Sequence, residues 1–232
     1  MHRLLVMEKS FLKNGGKICS LGDLDYPSYF EQLNEPPQRF YYFGKLPCAK
    51  QARLAIVGSR EVDHFAKRWL QNHLSVFLQM FSGATVSGGA RGIDILVHQL
   101  SVRHRVPTLM ILPSGLFNPY PRIRQNDFKR IIESGGCIMS EFSLDAQVRK
   151  HHFYQRNRLI AAASQVLLVV QAGLPSGTLL SAKWAMDLAK IVAVLPSFPG
   201  DPVYAGNLSL LFDGAQPIRD HKDLNSLLEM VH

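Results

Sequence analysis

From Arg53 onward the chain alternates short apolar runs with stretches whose apolar residues recur at helical spacing. The apolar runs are 54–57, 84–86, 108–112, 137–139, 166–170 and 191–195. Each is too short for a helix and reads as a β-strand buried on both faces. After the first, Val62, Ala66, Trp69, Leu70, His73, Leu74, Phe77 and Leu78 follow a period close to 3.6. Comparable patterns predict helices over 93–102, 123–134, 156–163 and 177–189, with a short last one over 223–231. Strands that alternate with helices in this way predict an α/β fold with a doubly wound, mostly parallel sheet and helices on both faces.

Residues 1–50 break this rhythm. Gly15-Gly16, Tyr26-Pro27, Pro36-Pro37 and Pro47 exclude a long helix after Asp25. The aromatic run Phe40-Tyr41-Tyr42-Phe43 ends at Gly44. The expected arrangement is a short N-terminal extension, 1–50, packed by its aromatics onto a main domain, 51–232, with one short helix within 27–33.

In such a sheet, ligands bind outside the carboxyl ends of the strands. Gly58, Ser59 and Arg60 follow the first predicted strand, and Ser87-Gly88-Gly89-Ala90-Arg91-Gly92-Ile93-Asp94 follows the second. The third is followed by Pro113-Ser114-Gly115 and then Tyr120-Pro121. The fourth leads to Ser140-Glu141 and a basic loop carrying Arg149, Lys150, His151 and His152. The fifth leads to Pro175-Ser176-Gly177-Thr178, and the sixth to Pro196-Ser197. Glycine turns that open helices bring backbone N–H groups and a favourable dipole to an anion. Phosphate at this edge is the expectation.

Composition narrows the partner. The chain is 47% hydrophobic and 19% charged, which excludes a disordered protein. Its net charge of +8 favours an acidic partner, nucleic acid before anionic membrane. Cys19, Cys48 and Cys137 are widely spaced and form neither a disulfide framework nor a zinc motif, so a reducing cytoplasm is expected. No run is long and apolar enough to read as a signal peptide or a membrane span.

Several chemistries are disfavoured. The stretch Gly58-Ser59-Arg60-Glu61-Val62-Asp63 has only the first glycine of the dinucleotide fingerprint, and no Gly-Lys-Ser/Thr phosphate loop occurs. Asp94 and His98 share a helix face beside Ser87, but nothing resembles a nucleophile elbow, so they read as an internal hydrogen-bonded pair that supports the turn. Adjacent His151 and His152 point apart and do not form a metal site. No cofactor and no metal are expected. Arg60, Arg91, Arg149, Lys150, Arg156, Arg158 and Lys190 are the charges of interest, most of them near the strand-end edge. Arg103, Arg105, Lys129 and Arg130 lie toward helix ends and read as diffuse steering charge.

These motifs, taken in order, resemble a known family. They are Ala55-Ile56-Val57-Gly58-Ser59-Arg60, the turn from Val86 to Asp94 with His98, Leu112 to Gly115 with Tyr120-Pro121, and Ser140-Glu141. Phe153 followed by Arg156-Asn157-Arg158-Leu159-Ile160 comes next, then Ser176-Gly177-Thr178-Leu179-Leu180-Ser181-Ala182 and Gly214-Ala215. The chain is similar to the DNA-processing protein A (DprA/Smf) family from about Tyr26 to Ile218. The resemblance implies an extended Rossmann-like fold, binding of single-stranded DNA in natural transformation, loading of the recombinase RecA, a homodimer, and no catalytic activity. By position it implies that Gly58, Ser59 and Arg60 grip phosphate and that Gly88, Gly89, Gly92 and Asp94 form the second glycine motif. It also implies that Lys150 and Lys190 match basic residues that contact DNA. Ser87, Arg91, Arg156, Asn157, Arg158, Ser176 and Gly177 complete the expected DNA-binding set, with Asp94 and His98 in support. Gln171-Ala172 stands where the family usually has Glu-Ala, and Gly89 where many members have Leu. The chain stops at His232, so contacts made by the winged-helix domain of many members are not expected to transfer.

Two alternatives use the same pocket. A nucleotide phosphoribohydrolase of the lysine-decarboxylase-like (LOG) group would carry a Pro-Gly-Gly-x-Gly-Thr-x-x-Glu motif. The nearest stretch, Pro175-Ser176-Gly177-Thr178-Leu179-Leu180-Ser181, lacks the acid. The other is a sensor of small nucleotides.

Overall fold

The computed structural model describes residues 2–122 and 125–231. Their strands are β1 (Lys17–Ser20), β2 (Arg39–Gly44), β3 (Arg53–Val57), β4 (Ala84–Ser87), β5 (Thr108–Ile111), β6 (Cys137–Ser140), β7 (Val166–Val169), β8 (Ile191–Val194) and β9 (Gln216–Pro217). They form one sheet in the order β1-β2-β6-β5-β4-β3-β7-β8-β9. From β6 to β9 neighbours run parallel, while β1 and β2 are antiparallel additions. Each of the predicted strands is present within one residue of its expected ends.

The helices are α1 (His2–Lys13), α2 (Ser28–Glu31), α3 (His64–Trp69), α4 (Ser75–Met80), α5 (Ile93–Arg103), α6 (Gln125–Glu133), α7 (Lys150–Ala162), α8 (Gly177–Asp187), α9 (Ala205–Phe212) and α10 (His221–Glu229). A π-helical turn, Leu70–Leu74, joins α3 to α4 into one continuous helix. The helix expected over 123–134 begins at Gln125, its first two positions lying outside the described residues. Two differences from the pattern matter here. α7 starts six residues before the expected 156, so Lys150, His151 and His152 form its first turn and not a loop. Residues 2–13 form a helix that was not among the expected elements.

β3 shows why both faces of the strands are apolar. Leu54 and Ile56 enter one core with Leu70, Leu74, Phe77 and Leu228. Ala55 and Val57 enter the other, with Phe40, Leu159 and Ala185. The side-chain period of two divides the strand between two helical layers.

The N-terminal extension is built into the sheet instead of resting on it through aromatics alone. β2 pairs with β6 from Tyr41↔Ser140 to Gly44↔Cys137. Tyr26, Tyr29, Phe30, Phe40 and Tyr42 then complete the core on that side. Arg53 ties the two parts together from a buried position. Its Nε donates to the Ala163 carbonyl (2.9 Å), and Nη1 donates to the carbonyls of Cys48 (2.9 Å), Ala49 (2.7 Å) and Gln51 (2.6 Å). The Tyr29 ring covers its guanidinium at 4.8 Å.

A second buried polar clamp, Asn207 on α9, holds the carboxyl ends of β7 and β8 together. Its Oδ1 accepts from Ala172 N (2.7 Å), and Nδ2 donates to the carbonyls of Val170 and Leu195 (3.0 Å each). Removing the amide strands three buried backbone groups, each costing ~1 kcal/mol or more. Asn207→Ala should therefore lower the unfolding free energy by about 2–4 kcal/mol. Urea denaturation measures this, and an unchanged midpoint would show that the clamp contributes nothing.

Candidate functional site

The chain order along the sheet reverses between β3 and β7, which places a crevice at their carboxyl ends. A cavity of about 440 Å³ opens there. Gly58, Ser59, Arg60 and Glu61 line it after β3, and Gly173 and Pro175 to Thr178 after β7. Ala90 and Asp94 come from the turn after β4, and Phe153, Arg156 and Asn157 from α7. The fold thus assembles Gly58, Ser59, Arg60, Asp94, Arg156, Asn157, Ser176 and Gly177 of the expected set around one space.

The two glycine turns touch through their backbones. Ile93 N donates to the Ser59 carbonyl (3.1 Å), and Ser59 N donates to the Gln171 carbonyl (2.8 Å). Gly92 sits at φ +90°, where a Cβ would collide with the carbonyl oxygens of Ser59 and Arg60. A Cβ on Gly58 would come within 2.6 Å of Ile93 Cγ1, and one on Gly88 would collide with the guanidinium of Arg156. Ser87, Gly88 and Gly89 are buried, and Ser87 Oγ donates to the Ile56 carbonyl (2.6 Å). These glycines allow close packing of the turns, so Ser87, Gly88, Gly89 and Gly92 lie behind the cavity and not on its wall. Several turn N–H groups expected to face an anion are spent internally. Glu61 N donates to Ser59 Oγ (3.1 Å), Ala90 N to Asp94 Oδ2 (3.2 Å) and Thr178 N to Ser176 Oγ (3.1 Å).

Charge is divided unequally. Arg156 is buried, and its Nη1 donates to the Ile111 carbonyl (3.1 Å) and lies 4.0 Å from Asp94 Oδ2. Burial pushes its guanidinium down to about 10, with Asp94 opposing the shift. Burial also raises the Asp94 carboxyl, again against its partner's charge. The pair therefore adds little net charge to the wall, although Arg156 Nε has no hydrogen-bond partner among the described residues. Arg60 is exposed and makes no ion pair among the described residues, and its guanidinium lies 5.1 Å above the Phe153 ring. Among the described residues it is the cation of the cavity wall without an ion-pair partner. Ser176 caps α8, whose N-terminus faces the same space.

Other expected site residues go elsewhere. Lys150 is exposed at the first turn of α7, on the strand-end side but outside the cavity wall. Arg158, two positions from Arg156, points to another face and pairs with Glu141. His152 is buried, stacks on Phe142 at 4.0 Å and bonds the Pro113 carbonyl, so it is a packing residue and not a loop charge. Lys190 precedes β8, which puts it at the opposite edge of the sheet. There burial and the charge of Arg53 lower its pKa. A residue just before a strand lies at its amino end, away from the carboxyl ends where the ligand is expected. Arg91 is exposed and lines a separate cavity between α5 and α6.

Asp94 and His98 do not bond each other as expected. Asp94 turns to the glycine turn and Arg156, whereas His98 Nδ1 engages the Thr108 hydroxyl (2.7 Å) on β5. Thr85 and Ser101 extend that buried hydroxyl cluster. Gln171 has a larger part than its sequence suggested. From a buried position its Oε1 accepts from Asp63 N (3.1 Å) and its Nε2 donates to the Glu61 carbonyl (2.9 Å), fixing the turn that presents Arg60. A neutral amide can both donate and accept, which an ionised glutamate cannot.

Residues 17–229 match the model of the family described as DNA recombination-mediator protein A. The chain is 31% identical to the protein Smf of Borreliella burgdorferi over 98% of its own length and 71% of that protein. It spans about half (53%) of the length of two other curated Smf relatives. Among solved structures it is similar to DNA processing protein A of Helicobacter pylori, described for its single-stranded DNA binding mode. Identity there is 31%, coverage 93% of this chain and 98% of that one, and the TM-score 0.76. DNA processing protein A of Streptococcus pneumoniae shares the fold, with TM-score 0.80 and 24% identity over 94% of this chain and 77% of that one.

The packing of the turns makes a paired prediction. Gly92→Ala combines a left-handed φ with a backbone collision and should cost about 3 kcal/mol or more. Gly177→Ala, with open space at its Cβ, should be neutral or gain up to ~1 kcal/mol. Thermal denaturation of both variants checks this, and equal effects would refute the assigned contact. The buried imidazole makes a second prediction. Burial, reinforced by Arg156, holds His98 down at about 3 against its ordinary 6.5. The unfolded chain therefore binds a proton below pH 6.5 that the folded chain refuses. Stability from this group is complete above that pH and is lost as pH falls toward 3, by up to ~1.4 kcal/mol per pH unit. Urea unfolding from about pH 7 to pH 4 should show a shallower dependence in His98→Gln than in the wild type. Parallel curves would mean the ring titrates normally.

Proposed function

The chain belongs to the DNA recombination-mediator protein A family, and from that premise we propose that it binds single-stranded DNA through its phosphate backbone at the β3–β7 crevice. The observation that carries the reading is Arg60. Gln171 fixes the turn that presents it, it has no ion-pair partner among the described residues, and it stands over Phe153 at the mouth of the cavity. The capped N-terminus of α8 supplies a second favourable end for phosphate. Phe153 offers a ring face near the path of a base, and the net charge of +8 favours a polyanion. The H. pylori relative, 31% identical, is described as a single-stranded DNA binder.

The protein's role in this reading is non-catalytic. It holds the strand in the cytoplasm, as a homodimer, and presents it to RecA for recombination. Backbone-directed binding of this kind has little sequence preference and falls steeply with salt.

Fluorescence anisotropy with labelled oligothymidine tests the proposal. Arg60→Ala should weaken binding by about tenfold or more, matching the ~1.5–3 kcal/mol of a charged hydrogen bond. Single strands should bind in preference to duplex. Wild-type affinity in Arg60→Ala would remove the phosphate assignment. Release of free base from nucleoside monophosphates would favour the hydrolase instead, with Glu61 on the cavity wall as the acid to test.

A further inference from the structure

Beyond the β3–β7 crevice, a larger cavity of about 1060 Å³ lies between α5 and α6. Ala90 lines the first cavity and Arg91 the second, so the two open on either side of one turn. From Arg91 the second cavity follows α5 through Ile95 and Gln99 to Arg103, along a helix about 16 Å long. Arg122 and Arg130 face it from the other side. Arg91, Arg103, Arg122 and Arg130 form no salt bridge among the described residues, and Asp127 is the one acidic residue of the lining. The neighbouring Lys129 is spent on Glu133.

The interior has a different character from the rim. Ile95, Val102, Met110 and Ile131 make it apolar. His98 also lines it, although only 2% exposed, and its Nε2 has no partner among the described residues. A buried polar atom left unpartnered costs free energy that a ligand can recover. Cations around an apolar floor, with an unfilled polar atom inside, match a ligand that alternates phosphates with flat apolar rings. The volume exceeds the roughly 300–1,000 Å³ usual for small-ligand pockets, and the arginines are spread along a groove instead of clustered at a point.

We propose that this groove is a second binding track for single-stranded DNA. A strand anchored at Arg60 passes the Ala90-Arg91 turn and continues down α5. Its phosphates lie on Arg91, Arg103, Arg122 and Arg130, and its bases lie over the apolar floor. The inference rests on the crevice being the first DNA contact.

The test compares oligothymidines of about six and about twenty nucleotides, shorter and longer than a single site of this kind. The double variant Arg103→Gln/Arg130→Gln should bind the long strand about tenfold more weakly and lower the log–log salt slope by about 1.4, as expected for two lost phosphate contacts. It should bind the short strand like the wild type, while Arg60→Ala weakens both. A double variant with the same charge change at distant exposed sites, Lys17→Gln/Lys222→Gln, controls for diffuse attraction. If the groove variant matches the wild type or this control on the long strand, the track does not exist. If the groove variant weakens long-strand binding but Arg60→Ala leaves both strands unaffected, the groove stands and the crevice assignment fails. If the wild type binds neither strand, both fall.

Discussion

The site depends on one close contact between two backbones. Ile93 N donates to the Ser59 carbonyl, and Gly92 lets that carbonyl and its neighbour approach where any Cβ would collide. This contact joins the turn after β3 to the turn after β4. It orients Gly58 against Ile93 and leaves room over Gly88 for the guanidinium of Arg156. Glycine here serves packing first. The exposed end of the arrangement is left to Arg60 and the N-terminus of α8.

Buried polar groups hold the remainder in place. Gln171 bonds both Asp63 N and the Glu61 carbonyl, Asn207 joins the ends of β7 and β8, and Arg53 gathers the carbonyls of Cys48, Ala49 and Gln51. Each clamps loop backbone that no strand ladder could satisfy, at a place where the loop must stay still. Arg156 belongs with this group. Enclosed with Asp94, it shapes the cavity wall more than it charges it. Among the described residues, the division between a buried, paired arginine and an exposed, unpaired one is the electrostatic design of the crevice.

The fold was largely legible from the chain. Strands buried on both faces, such as β3 with Leu54 and Ile56 on one side and Ala55 and Val57 on the other, leave continuous apolar runs that few other structures produce. Elements whose period is weak were not legible. α1 leaves Leu4, Leu5, Val6 and Leu12 exposed, so its apolar residues do not mark its buried face, and the first turn of α7 is polar and basic. β1 and β2 were hidden as well, because antiparallel addition at an edge depends on a partner, β6, that lies far along the sequence.

The same limit applies to the charges. Sequence by itself determined the strand–turn–helix order, the glycines at two crossing points and a surplus of positive charge, because each is a local property of the chain. Tertiary structure alone decided what each cation does. Arg156 is enclosed by Asp94 and Ile111, and Arg158 is taken up by Glu141. Arg103 and Arg130, which read as dispersed helix-end charges, meet across one groove. A charge acts through what surrounds it in space, and residues distant in sequence supply those surroundings.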